Sequence, residues 1–174
     1  MQNNSLIHTP DIQLLSGLKS AQALGLIVSY LMTKPAFAGL PFGHWSRILV
    51  GQINRGHYLI ASDKQQIVGF LGWALTTQEK GEMWLAGTNE LSSEDCKAGE
   101  ILLINAYAAE THEVTLTILK QLKKIGKTQK MVYFKRFYAN GRIRPGRLTV
   151  NRLCRKYLNE VQRTHPSGKV ILQG

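Results

Sequence analysis

Apolar residues in the first fifth of the chain, Ile12, Leu15, Leu18, Leu24, Ile27, Val28 and Leu31, fall near helical spacing. They predict an amphipathic helix over 11–33 that Pro35 stops. The small residues and prolines of AFAGLPFG predict a loop, and HWSRILVGQINRG predicts a second helix that begins at His44 and ends at Gly56. The period then changes to two. HYLIAS and IVGFLGWAL, separated by a polar turn at 63–66, predict a β-hairpin. Residues 76–100 are polar apart from a short apolar island at 83–86, and predict a strand end followed by a surface excursion. ILLINAYAA at 101–109 predicts a central strand buried on both faces. Helical spacing resumes over 110–125, with Lys120, Lys123 and Lys124 where the helix dipole favours cations. MVYFKRFY, a turn at Ala139-Asn140-Gly141 and RIRPGRLTV predict a second hairpin. A basic helix or tail follows over 151–163.

The predicted order is α, α, β, β, β, α, β, β, without internal repeat or linker. It implies one α+β domain over 1–174 with a mixed, mostly antiparallel sheet flanked by helices. Helices occupy 11–56, strands and the excursion 57–109, a helix and a basic hairpin 110–150, and the basic terminus 151–174. At 174 residues and 44% hydrophobic composition, the chain can bury one ordinary core.

Charge changes the picture. Residues 1–112 carry seven basic and nine acidic side chains, whereas 113–174 carry fifteen basic and two acidic. A cationic third of this kind suits nucleic acid, anionic lipid or an acidic protein. Tyr133, Phe134, Phe137 and Tyr138 lie among its cations, so a nucleic-acid-binding module is the rival of a different class. Cys96 and Cys154 are too few for a disulfide framework or a four-thiolate metal site, and a reducing cytoplasm is the expected setting. The N-terminus has no basic segment followed by an apolar one, and no long uncharged apolar run occurs, so neither secretion nor a membrane span is expected. The sequence contains no phosphate loop, no GxGxxG after a strand, no GxSxG and no HExxH. The histidines at 8, 44, 57, 112 and 165 lack metal-ligand spacing, and no metal is expected.

The strand-helix unit from Ile101 to Ile125 invites comparison with acyl-transfer folds, in which a thioester carbonyl docks beside a splayed central strand and the next helix supplies donors. Asn105 is the one amide in that apolar run, read either as a buried structural amide or as an orienting donor at a reaction centre.

PAFAGLP, then RILVGQINRGHYLIASDKQQIVGFLGWA, then SEDCKAGE before the apolar strand, resemble the toxin-activating lysine acyltransferases that fatty-acylate RTX hemolysins. The likeness covers roughly residues 24–145. It implies the acetyltransferase (GNAT) fold, an acyl carrier protein as donor, and a lysine amine as acceptor. The family's catalytic His falls at Phe37 and its catalytic Asp at Asn105, so neither is retained by identity. A pseudoenzyme, another base such as His44, or chemistry without a strong base would each account for the loss.

The chain also resembles GNAT-type fatty acyltransferases that lipidate ribosomally made peptides on Lys or ornithine. That context is the preferred expectation, with Asn105 and His44 as catalytic candidates. Lys135, Arg136, Arg142, Arg144 and Arg147 are the candidates for holding an acyl carrier protein or the nucleotide of acyl-CoA, used as co-substrate with no permanently bound cofactor. Leu31, Phe37, Leu40, Phe42 and Trp73 are the candidate acyl channel, and plain core packing is their alternative. A peptide or protein acceptor is the second partner, a homodimer stays open, and a non-catalytic adaptor on the same fold is a third class.

Overall fold

The computed structural model describes residues 11–138 and 141–156. Strands β1 (Ile12–Leu15), β2 (Tyr58–Asp63), β3 (Gln66–Thr76), β4 (Ile101–Ala109), β5 (Met131–Phe137) and β6 (Ile143–Leu148) form one sheet in sequence order. All neighbours are antiparallel except β4 and β5, which are parallel and joined by helix α5 (His112–Ile125). The expected mixed α+β architecture is therefore the observed one.

Three elements differ from the expectation. Ile12 and Leu15 match helical spacing, but the structure puts Ile12–Leu15 in strand β1, paired with β2. Ile12 and Leu14 pack on the α5 side and Leu15 on the other, the alternation of a strand. Helix α1 (Ser20–Leu31) begins only after Gly17, whose φ of 68° suits glycine. Within the stretch read as surface excursion, Gln78–Ala86 is helix α4. Thr77 Oγ1 accepts the Lys80 N–H at 3.4 Å to cap its start, and Gly87 in the left-handed region ends it. Its apolar residues are too few to show a period, so the caps were the only legible signals.

Pro35–Ala38 in the predicted loop forms the short helix α2, with proline in its first turn. Helix α3 (Phe42–Arg55) starts two residues before the expected position and stops at Gly56 in the left-handed conformation, as expected. The two hairpins and α5 lie where the patterns put them; the turn residues 139–140 and the terminus after 156 fall outside the described residues.

The sheet is covered on both faces. Leu59, Leu71, Trp73, Leu102 and Phe134 meet α5, while Ile60, Phe70 and Ala106 meet α1 and α3. Beneath β4 and β5 on the α3 side, Leu85 of α4 packs with Ala74, Leu103 and Tyr133. Burying each large apolar side chain stabilises the fold by roughly 1.5–3 kcal/mol. At the outer edge, β6 carries Pro145, which withdraws one backbone donor.

Candidate active site

The β4–β5 ladder runs from Ile101↔Met131 to Ile104↔Phe134 and stops there. Beyond it, β4 continues to Ala109 with β3 on one side and, among the described residues, no strand ladder on the other, while β5 runs on to Phe137 paired only with β6, its partner on the other edge since Val132. The register of β3 against β4 slips at the same level, Gly72 facing Ala106 and Trp73 facing Ile104, so Asn105 is the extra residue of a bulge. A bulge and the end of a ladder thus coincide at one residue.

Gln52 of α3 donates its Nε2–H to Asn105 Oδ1. Gln52 is fully buried, and its apolar neighbours Trp45, Leu49 and Ile53 complete the inward stripe of α3. Room for its amide comes from Gly72: a Cβ there would fall 2.3 Å from Gln52 Nε2. An unpaired buried amide costs roughly 1–3 kcal/mol. The Gln52–Asn105 bond therefore fixes both partners. Sequence reasoning missed Gln52 and Gly72; the available signal was a polar residue at a core position of a helical stripe.

His44 lies in the first turn of α3, half exposed, with Nδ1 3.8 Å from Glu90 Oε1. Eight residues separate it from Gln52, about 12 Å of helix axis at the usual rise. The structure thus places His44 and Asn105 on adjoining elements but records no contact between them. Arg55 Nη1 reaches Ser93 Oγ at 3.4 Å, so the segment carrying Glu90 and Ser93 runs alongside α3.

The five proposed channel residues are not brought together. Leu31 is buried in the α1–α3 cluster and Phe37 packs at its margin, whereas Trp73 lies in the cluster on the opposite face of the sheet. Leu40 and Phe42 are exposed, Phe42 meeting the Trp45 ring edge-on at 5.4 Å. Trp73 instead stacks on His57 at 5.7 Å, where burial and then the Arg55 charge hold the imidazole below its ordinary pKa.

A model of the RTX toxin acyltransferase family matches residues 16–142. The chain belongs to that family. Two solved structures share its fold: an apo mutant of an agmatine N-acetyltransferase, at TM-score 0.55 and 12% identity over 75% of this chain and 78% of that one; and a polyamine N-acetyltransferase of Drosophila melanogaster, at 0.54 and 9% over the same shares. These likenesses give the acyltransferase the GNAT fold. No protein of curated function matches the sequence.

The cations of the acyltransferase's hairpin divide by face. Arg147 is held by Glu82 of α4, its Nε 2.9 and 3.0 Å from the two carboxylate oxygens, while the Tyr133 hydroxyl donates to Glu82 Oε1 at 2.7 Å. These bonds, Arg147 first and then Tyr133, draw the Glu82 carboxyl down to about 2. Arg147 therefore clamps α4 to the hairpin. Lys135 lies over the Trp84 ring at 4.4 Å, and desolvation lowers its pKa. Arg136 and Arg144 face each other across the strands, and Arg136 sits 5.8 Å from the Phe134 ring on the α5 side.

At the start of α5, Thr111 Oγ1 accepts the Val114 N–H at 3.3 Å, and Glu113 occupies the first turn. Glu110 just before it is paired with Lys34. Tyr30, buried beside Glu110, has its pKa raised by burial and then by that negative charge. Among the described residues, no group of three or more His, Cys, Asp and Glu could hold a metal, and no helix is long and apolar enough to cross a membrane.

Proposed function

We propose that the acyltransferase moves a fatty acyl group from an acyl carrier protein to a Lys or ornithine side-chain amine of a ribosomally made peptide or protein. The observation that carries this reading is the departure of β4 from β5 at Asn105, beside a buried amide pair. An acyl thioester laid in that opening presents its carbonyl to the β4 edge and to the Asn105 amide. The amine nitrogen adds to the carbonyl carbon, the C–S bond breaks, and the leaving thiolate takes up a proton while the nitrogen loses one. His44, near Glu90 and about 12 Å along α3 from Gln52, is the proposed acceptor of the amine proton, reached through intervening water rather than by direct contact.

Arg136 and Arg144, cross-strand neighbours on the α5 face of the hairpin, supply the cationic surface for the acidic donor. Glu113 in the first turn of α5 disfavours a nucleotide pyrophosphate there, which supports a carrier protein over CoA.

Intact mass spectrometry tests the reading: peptides containing lysine or ornithine and encoded beside the gene are co-expressed with and without the enzyme and a supplied acyl carrier. A fixed acyl increment on a side-chain amine is expected. Its absence, followed by absence on an RTX protoxin lysine, overturns the proposal and favours the adaptor reading that Phe37 and Asn105 invite in place of the family's His and Asp. Full turnover by His44→Ala would remove that residue's assignment, and full turnover by Asn105→Ala would remove the other.

A further inference from the structure

Because β4 and β5 are parallel, Ala109 and Phe137 end at the same end of the sheet. The Lys34–Glu110 ion pair brings the C-terminal end of α1 there too. Six of the exposed large apolar side chains among the described residues belong to elements converging on that end. Met32, Leu40 and Phe42 lie between α1 and the start of α3; Phe137, Tyr138 and Ile143 lie towards the tip of the β5–β6 ribbon. Phe137 and Ile143 are cross-strand neighbours, 56% and 54% exposed. Arg136 and Arg144 alternate with them on the other face of the ribbon, and Arg142 beside Ile143 lies 5.8 Å from the Tyr138 ring. Of the nearby acids, Glu110 is neutralised by Lys34, Glu113 starts α5, and Glu90 faces His44.

We infer that this end of the molecule seats on an anionic lipid surface, with Phe137 and Ile143 entering the headgroup boundary and Arg142 meeting lipid phosphates. Apolar side chains on two separate projections suit a fluid interface better than one protein partner's groove. Arginine stems can lie along the apolar boundary while their heads reach phosphate, and tyrosine favours the same depth. A second copy pairing along β6 would bring like charges together and meet Pro145. The inference concerns where the enzyme sits and does not depend on which acyl group it transfers.

The test is sedimentation of the full chain with vesicles of phosphatidylcholine, with and without phosphatidylglycerol. Binding is expected only with the anionic lipid and weakens as salt rises. The double variant Phe137→Ser/Ile143→Ser should bind about tenfold more weakly, and Arg142→Gln about fivefold more weakly. Circular dichroism and the melting temperature of the double variant check that it is folded, independently of turnover. Undiminished binding by that variant, or equal binding to neutral vesicles, overturns the inference. So does the absence of vesicle binding when an acidic carrier protein protects the ribbon tip; that outcome assigns the surface to a protein.

Discussion

The two halves of β4 differ in sequence, partners and work. From Ile101 to Ile104 the residues are Ile and Leu, the strand is paired on both sides, and three of the four side chains are fully buried. From Asn105 to Ala109 the residues are Asn, Ala and Tyr, one flank is open, and most positions are half-buried. One half secures the sheet and the other forgoes packing to leave a backbone edge accessible. Small side chains keep the open half from filling its own opening.

Perturbing each half separately tests this division. In the paired half, Leu103→Ala should cost about 3 kcal/mol by chemical denaturation, from lost burial and a cavity, with turnover per folded molecule unchanged. At the boundary, Gly72→Ala puts a methyl against the Gln52 amide and should cost about 2 kcal/mol while also lowering kcat. In the open half, Asn105→Asp keeps an acceptor for Gln52 but replaces the amide with a carboxylate. It should lower kcat by about 10- to 100-fold with little change in melting temperature. An unchanged or higher kcat would make the open half a place where a base belongs.

The smallest effect lies outside β4. Glu82→Gln should cost about 1 kcal/mol near neutral pH, given the partial exposure of the pair. The native Glu82 carboxyl is lowered from 4.5 to about 2, so its contribution is present above the unfolded value and lost as pH falls through that window. Stability curves of wild type and variant should therefore converge with acidification; a constant gap would assign the loss to packing.

The paired half of β4, both hairpins and α5 were legible because their apolar periods are long and uninterrupted. β1 was not, since its apolar positions 12 and 15 continue the helical spacing of the segment that follows, and four residues are too few to show alternation. α4 was not, because its inner face offers only Leu85 and the side-chain-free Gly81 against Tyr133, too little to show a helical period, and its ends are marked only by Thr77 and Gly87. Asn105 stood out as an amide in an apolar strand, but its partner did not. Gln52 is 53 residues away, and only folding brings α3 over the bulge. The proposed channel failed as a group because sequence proximity carries no information about which face of the sheet a side chain meets.

The spatial order of the strands is their order in the chain. Each ladder can close against the strand made just before it, and between β2 and β6 the longest connections are the α4 segment and the α5 crossover. Only β1 must wait for three helices before its partner emerges. Such a sheet has modest sequence separation for its size and can zip from one edge to the other as synthesis proceeds. The opening beside Asn105 is then set late, when β5 docks on β4 over only Ile101–Ile104, so the crossover that completes the sheet is also the step that leaves the molecule its cleft.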